Sequence, residues 1–422
     1  MSETLTPEKI YDYVINKNMS KSEAIEFLGS LIESNEDEEI RVKFINLFEK
    51  LALNSFKAFK ILENALLSDE SPLVRAITTK IIFSCFQEIG LNPLRWIVKN
   101  ETSSIVLKTI RELLKNYDNQ NLEVLKIEFN DRLETIASYL GVVREEASFF
   151  MDFTTNINDS KKYRLNQLSE ILEGDDAICA LDKNRHVKSL SFSLQASLPE
   201  SIGSLSRLKN LDLSYNKLKI LPNSFSKLSK LKSLDLSWND FVSLPTALCN
   251  LNSFKLIKLE ANHNDINNIP EWLQKFKHLK HLDLSHNNIL DIPDSINSLK
   301  SLEYLDLSEN NIKEFPESIY SLTSLKTLRL SYNKIKRIPR SIGAFSSLKT
   351  LWLNNNDVQE IPEPIGSLTL LENLNLEKNS IRKLPNSISS LKSLIFLNLR
   401  NNKIKDAQKL TNYLKKVKVL YF

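Results

Sequence analysis

A repeat of 23 residues constrains the fold of this sequence more than any other feature. One complete unit begins at Leu302 and the next begins at Leu325, and the marker residues of the first are Leu302, Leu305, Leu307, Asn310 and Pro316. The asparagine recurs along the second half of the chain at Asn216, Asn239, Asn264, Asn287, Asn310, Asn333, Asn356, Asn379 and Asn402. Successive asparagines are 23 residues apart, except for one step of 25 residues between Asn239 and Asn264. A fixed period of this length indicates a solenoid of stacked units.

The spacing within one unit predicts a short strand. Leu305 and Leu307 point to the same side of an extended chain, and the residue between them points to the other side. One unit cannot bury its apolar side alone, so neighbouring units must stack and their strands must pair in parallel. We expect the asparagines to form a structural ladder, because a side-chain amide can satisfy both backbone donors and backbone acceptors in a buried turn.

The pattern L-x-x-L-x-L-x-x-N resembles the 23-residue leucine-rich repeats of intracellular Ras-associated scaffold proteins and of plant disease-resistance-type proteins. The resemblance covers residues 187–422 and implies a solenoid with a curved parallel sheet. It predicts an irregular first repeat at Val187, nine regular repeats and a terminal cap. Residues 406–416 are expected to form an amphipathic capping helix, and Val417, Leu420 and Phe422 fall in phase for a last, truncated strand.

Residues 1–180 lack this period and show helical punctuation instead. Thr6-Pro7, Ser71-Pro72 and Asn92-Pro93 are each typical of a helix cap followed by proline at the first helical position. Nine helices are expected between residues 7 and 157.

A weaker repeat joins three of these helical segments. Arg41 and Arg75 follow acidic turns at equivalent positions, which resembles the polar ladder of HEAT-type helical repeats, but Leu107 occupies the matching position in the third segment. Armadillo-like or TPR-like helix pairs and an ordinary helical bundle are the alternatives. The predicted organisation is a HEAT-like region over 1–120, a helical extension or linker over 121–180 and a leucine-rich-repeat solenoid over 187–422. The clearest break lies at Gly174.

Composition excludes several classes of protein. The chain has 422 residues and a formal net charge of +4, which is too small to imply general attraction to nucleic acid or membranes. No apolar run is long enough to cross a bilayer, and the first residues do not resemble a secretory signal. Cys85, Cys179 and Cys249 are scattered, without the disulfide caps of extracellular repeats. We therefore expect a cytoplasmic protein.

No motif for catalysis or cofactor binding is found. The seven glycines form neither a Walker-type nor a dinucleotide-type phosphate loop, and the histidines and cysteines lack zinc-finger spacing. His263 and His286 occupy equivalent positions in adjacent repeats, with Glu260, His281 and Asp283 nearby. We interpret this group as ordinary surface. No catalytic residue, metal site or cofactor is therefore predicted.

The concave face of the sheet is the predicted binding surface, because solenoids expose a broad rigid row of side chains there. Its central column reads Asp212, Asp235, Glu260, Asp283, Asp306, Arg329, Trp352, Asn375 and Asn398. The acidic residues either belong to the common form of the repeat or form an acidic binding surface. Arg329 and Trp352 depart from that common form, and aromatic and arginine side chains are enriched at binding hot spots. The predicted partner-binding residues are Tyr304, Arg329, Tyr332, Trp352, Trp238, Asp283 and Asp306.

These observations predict a non-catalytic scaffold or adaptor that binds a protein on the concave face. The family resemblance implies a small GTPase or its signalling complex as the first partner to test. The alternative is a regulatory or sensor subunit of a separately encoded enzyme, docked through the helical domain. The sequence does not indicate an oligomeric state.

Overall fold

The computed structural model describes residues 6–101, 103–116, 122–140, 142–153, 179–193, 196–251, 255–405 and 417–421. The chain divides into two compact units, Met1–Glu173 and Gly174–Phe422. The break expected at Gly174 lies outside the described residues.

The first unit is helical throughout its described part. Its nine described helices are α1 Pro7–Ile15, α2 Lys21–Ser34, α3 Glu38–Lys50, α4 Phe56–Ser68, α5 Pro72–Cys85, α6 Leu91–Asn100, α7 Ser104–Asn116, α8 Glu123–Leu140 and α9 Arg144–Phe153. The odd-numbered helices contact one another in succession, and so do the even-numbered helices. The unit is therefore a two-layer stack of helices, as expected of a HEAT-like repeat region.

Helix caps explain where several of these helices begin. Thr6 and Ser71 accept hydrogen bonds from the backbone of α1 and α5, and proline occupies the first helical position of both. The start of α6 was wrong in the sequence analysis, because the helix begins at Leu91 after Gly90 rather than at Pro93. Proline fits within this first turn because the first backbone N–H groups of a helix have no partner within the helix.

The polar ladder of the helical unit is present at two positions. Arg41 Nη2 lies 2.9 Å from Asp69 Oδ1, and Arg75 Nε lies 2.8 Å from Glu101 Oε2. Each arginine also donates to backbone carbonyls just before its own helix. Leu107, which replaces arginine in the third segment, is buried in the core.

The second unit contains one sheet of twelve strands in sequential order. The strands are β1 Cys179–Leu181, β2 Val187–Ser191, β3 Asn210–Asp212, β4 Ser233–Asp235, β5 Lys258–Glu260, β6 His281–Asp283, β7 Tyr304–Asp306, β8 Thr327–Arg329, β9 Thr350–Trp352, β10 Asn373–Asn375, β11 Phe396–Asn398 and β12 Val419–Tyr421. All neighbours pair in parallel except β1 and β2, which are antiparallel. Each prolyl turn leads into a short 3-10 helix on the opposite side of the solenoid.

The asparagine ladder holds consecutive repeats together. Asn310 Nδ2 donates to the carbonyls of Leu284, Leu307 and Ser308, and its Oδ1 accepts from the backbone N–H of Ile289. In every repeat the equivalent Nδ2 donates both within its own turn and to the preceding repeat. Leucine side chains fill the space beneath, and Leu302, Leu305 and Leu307 are fully buried.

The solenoid ends in an additional strand on each side of the regular repeats. The sheet begins at Cys179, ahead of the expected start at Val187, because β1 folds back on β2 and covers the first open edge. At the other end, the predicted last strand is present as β12, with Leu420 beside Leu397. The expected capping helix at 406–416 lies outside the described residues, and so does most of 252–255, where the 25-residue repeat is expected to carry its two extra residues.

Candidate functional site

The parallel register places equivalent residues of β3 to β11 side by side on the outward face of the sheet. We call this face the sheet surface. Its central column contains Asp212, Asp235, Glu260, Asp283, Asp306, Arg329, Trp352, Asn375 and Asn398. The column next to it includes His281, Tyr304, Thr327, Thr350, Asn373 and Phe396.

Most residues of the central column support the turn that follows the strand. Asp283 Oδ1 accepts a hydrogen bond of 2.9 Å from the backbone N–H of Ser285, two residues ahead. The same bond is made by Asp212, Asp235, Asp306, Asn375 and Asn398. Short side chains with an oxygen at this position commonly stabilise such turns. The run of acids is therefore explained by the needs of the repeat.

Glu260, Arg329 and Trp352 depart from this rule, and Arg329 and Trp352 lie on neighbouring strands. The Arg329 guanidinium lies 4.2 Å from the centre of the Trp352 ring and 5.5 Å from that of Tyr304. Its Nη1 lies 3.2 Å from the Tyr304 hydroxyl and 3.4 Å from Asp306 Oδ2. Arg329, Trp352, Tyr304 and Asp306 thus form one cluster, which we call the Arg329 cluster.

A chain of contacts extends the Arg329 cluster toward the first repeats. The Tyr304 ring stacks on His281 at a centroid distance of 4.1 Å. His281 Nε2 lies 3.4 Å from Glu260 Oε1, and Glu260 also pairs with Lys258 at 2.8 Å. Sequence reasoning missed this extension. The signal was available, because Glu260 is the one acid of the column too long for the usual turn bond.

Electrostatics differ sharply among the carboxylates of the central column. His281, 3.4 Å from the carboxylate, together with Lys258, lowers the pKa of Glu260 to about 2. Burial raises the pKa of Asp235 and of Asp283, and the neighbouring carboxylates of the column add to the effect. Glu260 is therefore ionised at neutral pH, whereas the aspartates on either side of it, Asp235 and Asp283, carry their charge at an electrostatic cost.

The column beside the asparagine ladder does not lie in the strands, although the sequence suggested outward strand positions for it. Its nine residues all have positive φ, so they lie in left-handed turns rather than in strands: Tyr215, Trp238, His263, His286, Glu309, Tyr332, Asn355, Lys378 and Asn401. Non-glycine residues adopt this conformation only at a cost. The cost is common to all repeats, so the turn itself demands it.

Four aromatic rings of this column stack on one another. The ring centroids of Tyr215 and Trp238 are 5.3 Å apart, those of Trp238 and His263 are 3.7 Å apart, and those of His263 and His286 are 3.8 Å apart. His286 Nδ1 pairs with Glu309 at 2.9 Å. Burial, together with the neighbouring His286, lowers the pKa of His263. We call this row the aromatic ladder.

The predicted site residues therefore fall into separate groups. Tyr304, Arg329, Trp352 and Asp306 meet in one cluster. Trp238 belongs to the aromatic ladder, Tyr332 lies half-exposed in the left-handed column, and Asp283 is bonded to Ser285. Within the described ranges, no group of three or more histidine, cysteine or acidic residues is arranged to hold a metal ion.

Comparison with known proteins identifies the second unit. Residues 189–241 match the family model of the leucine rich repeat, and residues 255–356 and 340–421 match that of the leucine-rich repeat region. Together these matches cover slightly more than half of the sequence. The chain is a leucine-rich-repeat protein. Such repeats generally mediate protein–protein interaction, and the fold is typically a non-catalytic module.

Several solved structures share the leucine-rich-repeat fold of this protein. A leucine-rich-repeat protein of Leptospira interrogans is 33% identical, with a TM-score of 0.54, over 56% of this chain and 60% of that one. The chain thus spans less than two thirds of the Leptospira protein. The plant peptide hormone receptor RGFR1, solved in complex with RGF2, is 26% identical over 56% of this chain and 39% of the receptor, with a TM-score of 0.49. No curated protein sequence matches the chain.

The described helices carry no segment that could cross a membrane. None of them combines the length and the apolar composition needed to span a bilayer.

Proposed function

We propose that this protein is a non-catalytic scaffold or adaptor that binds a protein partner on the sheet surface, with the Arg329 cluster at the centre of the contact. The observation that carries the proposal is the departure of Arg329 and Trp352 from the turn-supporting residue of their column. Neither side chain makes the turn bond that Asp and Asn make at the equivalent positions. Tryptophan, tyrosine and arginine are the residues that most often dominate binding energy.

The Arg329 cluster also offers unused hydrogen-bond donors. Among the described residues, Arg329 Nε and Trp352 Nε1 are buried and have no acceptor. Buried donors without partners are unfavourable, so a bound segment that brings carbonyl or carboxylate oxygens gains from meeting them once the two side chains turn toward it. Asp306 holds Arg329 in place before binding, which reduces the entropy lost on association.

The finer proposal concerns the identity of the partner. The sequence resemblance to Ras-associated scaffold proteins makes a small GTPase, or a complex that contains one, the first partner to test. We also propose that the protein is cytoplasmic.

The test compares the protein with an Arg329→Asn/Trp352→Asn variant. Asparagine occupies the same column at Asn375 and Asn398, so the fold should accept it. A variant with Arg337→Asn and Ile220→Asn, which changes one arginine and one exposed apolar residue elsewhere on the solenoid, serves as the control. We expect the cluster variant to lose about 2 kcal/mol of stability or less, because a half-buried cation–π contact contributes about 0.5–2 kcal/mol.

The binding measurement is affinity capture with and without a non-hydrolysable GTP analogue, followed by mass spectrometry. A GTPase retained only with the analogue, and lost only with the cluster variant, would support both the site and the partner class. A partner that binds the folded cluster variant as well as it binds the unchanged protein would rule out the Arg329 cluster as the site.

A second candidate is a regulatory subunit that docks an enzyme through its helical unit. It is favoured by exposed apolar side chains on the even-numbered helices: Phe56 on α4 is 66% exposed, Trp96 on α6 is 50% exposed and Ile127 on α8 is 58% exposed. A Trp96→Ser/Ile127→Ser variant distinguishes the two candidates. Loss of the captured partner with this variant, but not with the cluster variant, would favour the regulatory subunit.

A further inference from the structure

Two exposed columns border the sheet surface where each strand begins. They consist of the residues immediately before and immediately after the apolar residue that opens each repeat, such as Arg207 and Lys209 around Leu208. We call them the leading edge. Backbone hydrogen bonds place the second column in file: Lys209 N donates to Lys188 O at 2.8 Å, and Lys232 N donates to Lys209 O at 2.7 Å. Neighbours in this file are therefore about 4.8 Å apart.

The charge of the leading edge changes midway along the solenoid. In the repeats of β2 to β6 the edge carries Lys188, Arg207, Lys209, Lys230, Lys232, Lys255 and Lys280, without a carboxylate. In the repeats of β7 to β11 it carries Lys326 and Lys349 together with Glu303 and Glu372. The repeats have the same backbone in both halves, so the shape of the fold does not require this difference.

The lysines of the second half and Lys280, at the boundary, pair with carboxylates, whereas the other lysines of the first half do not. Glu303 pairs with Lys326 at 2.6 Å and with Lys280 at 2.9 Å, and these contacts lower the pKa of Glu303 to about 2. Glu372 pairs with Lys349 at 2.9 Å. No described carboxylate lies at salt-bridge distance from the exposed amines of the other leading-edge lysines in the first half, Lys188, Lys209, Lys230, Lys232 and Lys255. Arg207 lies close enough to Asp182 to contribute to the lowered pKa of that carboxyl.

Like charges in file on paired strands repel one another. An unneutralised row is therefore unfavourable in the free protein, and a ligand of opposite charge that lies along the row relieves the repulsion. A carboxylate of the same repeats could have neutralised the row, as Glu303 neutralises lysines in the second half. The described residues of the first repeats supply none.

We propose that the leading edge of the first repeats binds an acidic segment of the protein partner in an extended conformation. The proposal rests on the proposed function, because it takes the partner to be a protein, and it adds a second contact and a chemical class. The unneutralised row from β2 to β5 measures about 14 Å, which corresponds to roughly four residues of extended chain. A segment rich in Glu or Asp of that length matches the row.

The neighbouring column favours a polypeptide over a nucleic acid. Asp212, Asp235 and Glu260 run parallel to the lysine row on the same strands. A phosphate backbone carries one sign of charge and would meet these carboxylates within one screening length. A polypeptide can place carboxylates over the lysines and neutral or basic side chains over the acids.

The repeat itself supplies a variant that should fold. The position before the opening leucine is serine at Ser301, Ser324, Ser347 and Ser393. The triple variant Arg207→Ser/Lys230→Ser/Lys255→Ser therefore places in the first half a residue that the second half already accepts. The matched control is Lys336→Ser/Arg337→Ser/Arg340→Ser, which removes three exposed positive charges outside the leading edge.

The measurement is fluorescence anisotropy of a labelled hexaglutamate peptide added to the full chain at low and at physiological salt. We expect binding that weakens with salt, a loss of about tenfold or more in affinity for the triple variant, and no comparable loss for the control. Absence of binding, an equal loss in the control, or tighter binding of an oligothymidylate of similar length would overturn the proposal. The Arg329→Asn/Trp352→Asn variant should retain peptide binding, so failure of the Arg329 cluster and failure of the leading edge give different results.

Discussion

At the scale of the residue, the same position of the repeat serves two purposes. Asp283 and Asp306 both hold the turn that follows their strand, but only Asp306 also faces an arginine. Asp283 has carboxylates on both sides and no basic partner within its own column. The contribution of the same residue type to the free energy of folding therefore depends on which side chain the adjacent repeat places beside it.

Replacing Asp283 with asparagine should stabilise the protein near neutral pH. The pKa of Asp283 is raised in the folded state, mainly by burial, so the ionised form opposes folding once the pH exceeds this raised value. Asparagine keeps the turn bond, as Asn375 does, and removes the charge. Below the ordinary pKa of 3.8 the carboxyl group is protonated in both states, so the gain should vanish there.

Chemical denaturation of both proteins across the pH range measures this difference. Asp306→Asn is the matched control in the same column, and it should destabilise the protein because Arg329 loses its carboxylate partner. Equal effects of the two substitutions would contradict the assignment of different surroundings to the two aspartates.

At the scale of the element, the turn after each strand is the joint between repeats. Its asparagine joins two repeats by hydrogen bonds, and the residue just before it has positive φ in every unit. The described strands other than β2 are only three residues long, so pairing within the sheet alone provides few bonds per repeat.

Asn310→Ala should therefore cost at least about 2 kcal/mol, because it leaves a buried N–H and buried carbonyls without partners. Asn311→Ala is the control, since its side chain meets only the exposed amine of Lys334. We expect that change to stay within about 0.5 kcal/mol of the parent. Urea unfolding followed by circular dichroism measures both, and a loss for Asn310→Ala as small as that of Asn311→Ala would show that water replaces the ladder bonds.

At the scale of the whole molecule, two kinds of repeat stack follow one another along the chain. Each unit buries its own set of apolar side chains, in helices of one unit and in leucine-rich repeats of the other. Stability in such stacks arises mainly between neighbouring repeats. We therefore propose that each unit unfolds as a separate transition.

Substitutions in one unit should shift only the transition of that unit. Arg75→Ala removes the ion pair with Glu101, which is 5% exposed, and should cost the helical unit about 3 kcal/mol. Asn310→Ala should shift only the solenoid transition. Scanning calorimetry of the two variants provides the measurement, and a single transition that moves in both variants would contradict independent units.

Much of the fold could be predicted because its determinants are local and repeated. Leu305, Leu307 and Asn310 specify the strand and the turn within one unit, and nine copies of the unit make the period clear. The N-terminal helices were also predictable, because caps such as Thr6-Pro7 act on their own first turn. The start of α6 was predicted wrongly because Gly90, not Asn92, sets the boundary.

The candidate surface was predictable only in part. The central column could be read from the strand period, and it included Asp306, Arg329 and Trp352 on adjacent strands, with Tyr304 in the column beside it. The left-handed turns that hold Trp238 and Tyr332, and the stacking of His281 on Tyr304, depend on backbone angles and ring orientations that no local pattern specifies.

The sequence by itself determined the stacked architecture, since a unit that cannot bury its own leucines must pack against a copy of itself. The tertiary structure decided which outward residues act together. Arg329 meets Tyr304 and Trp352 only because parallel pairing brings residues of different repeats to one place, and β1 covers the first strand only because the chain folds back there. Contacts between repeats depend on register and side-chain direction, and these arise when the whole stack is assembled.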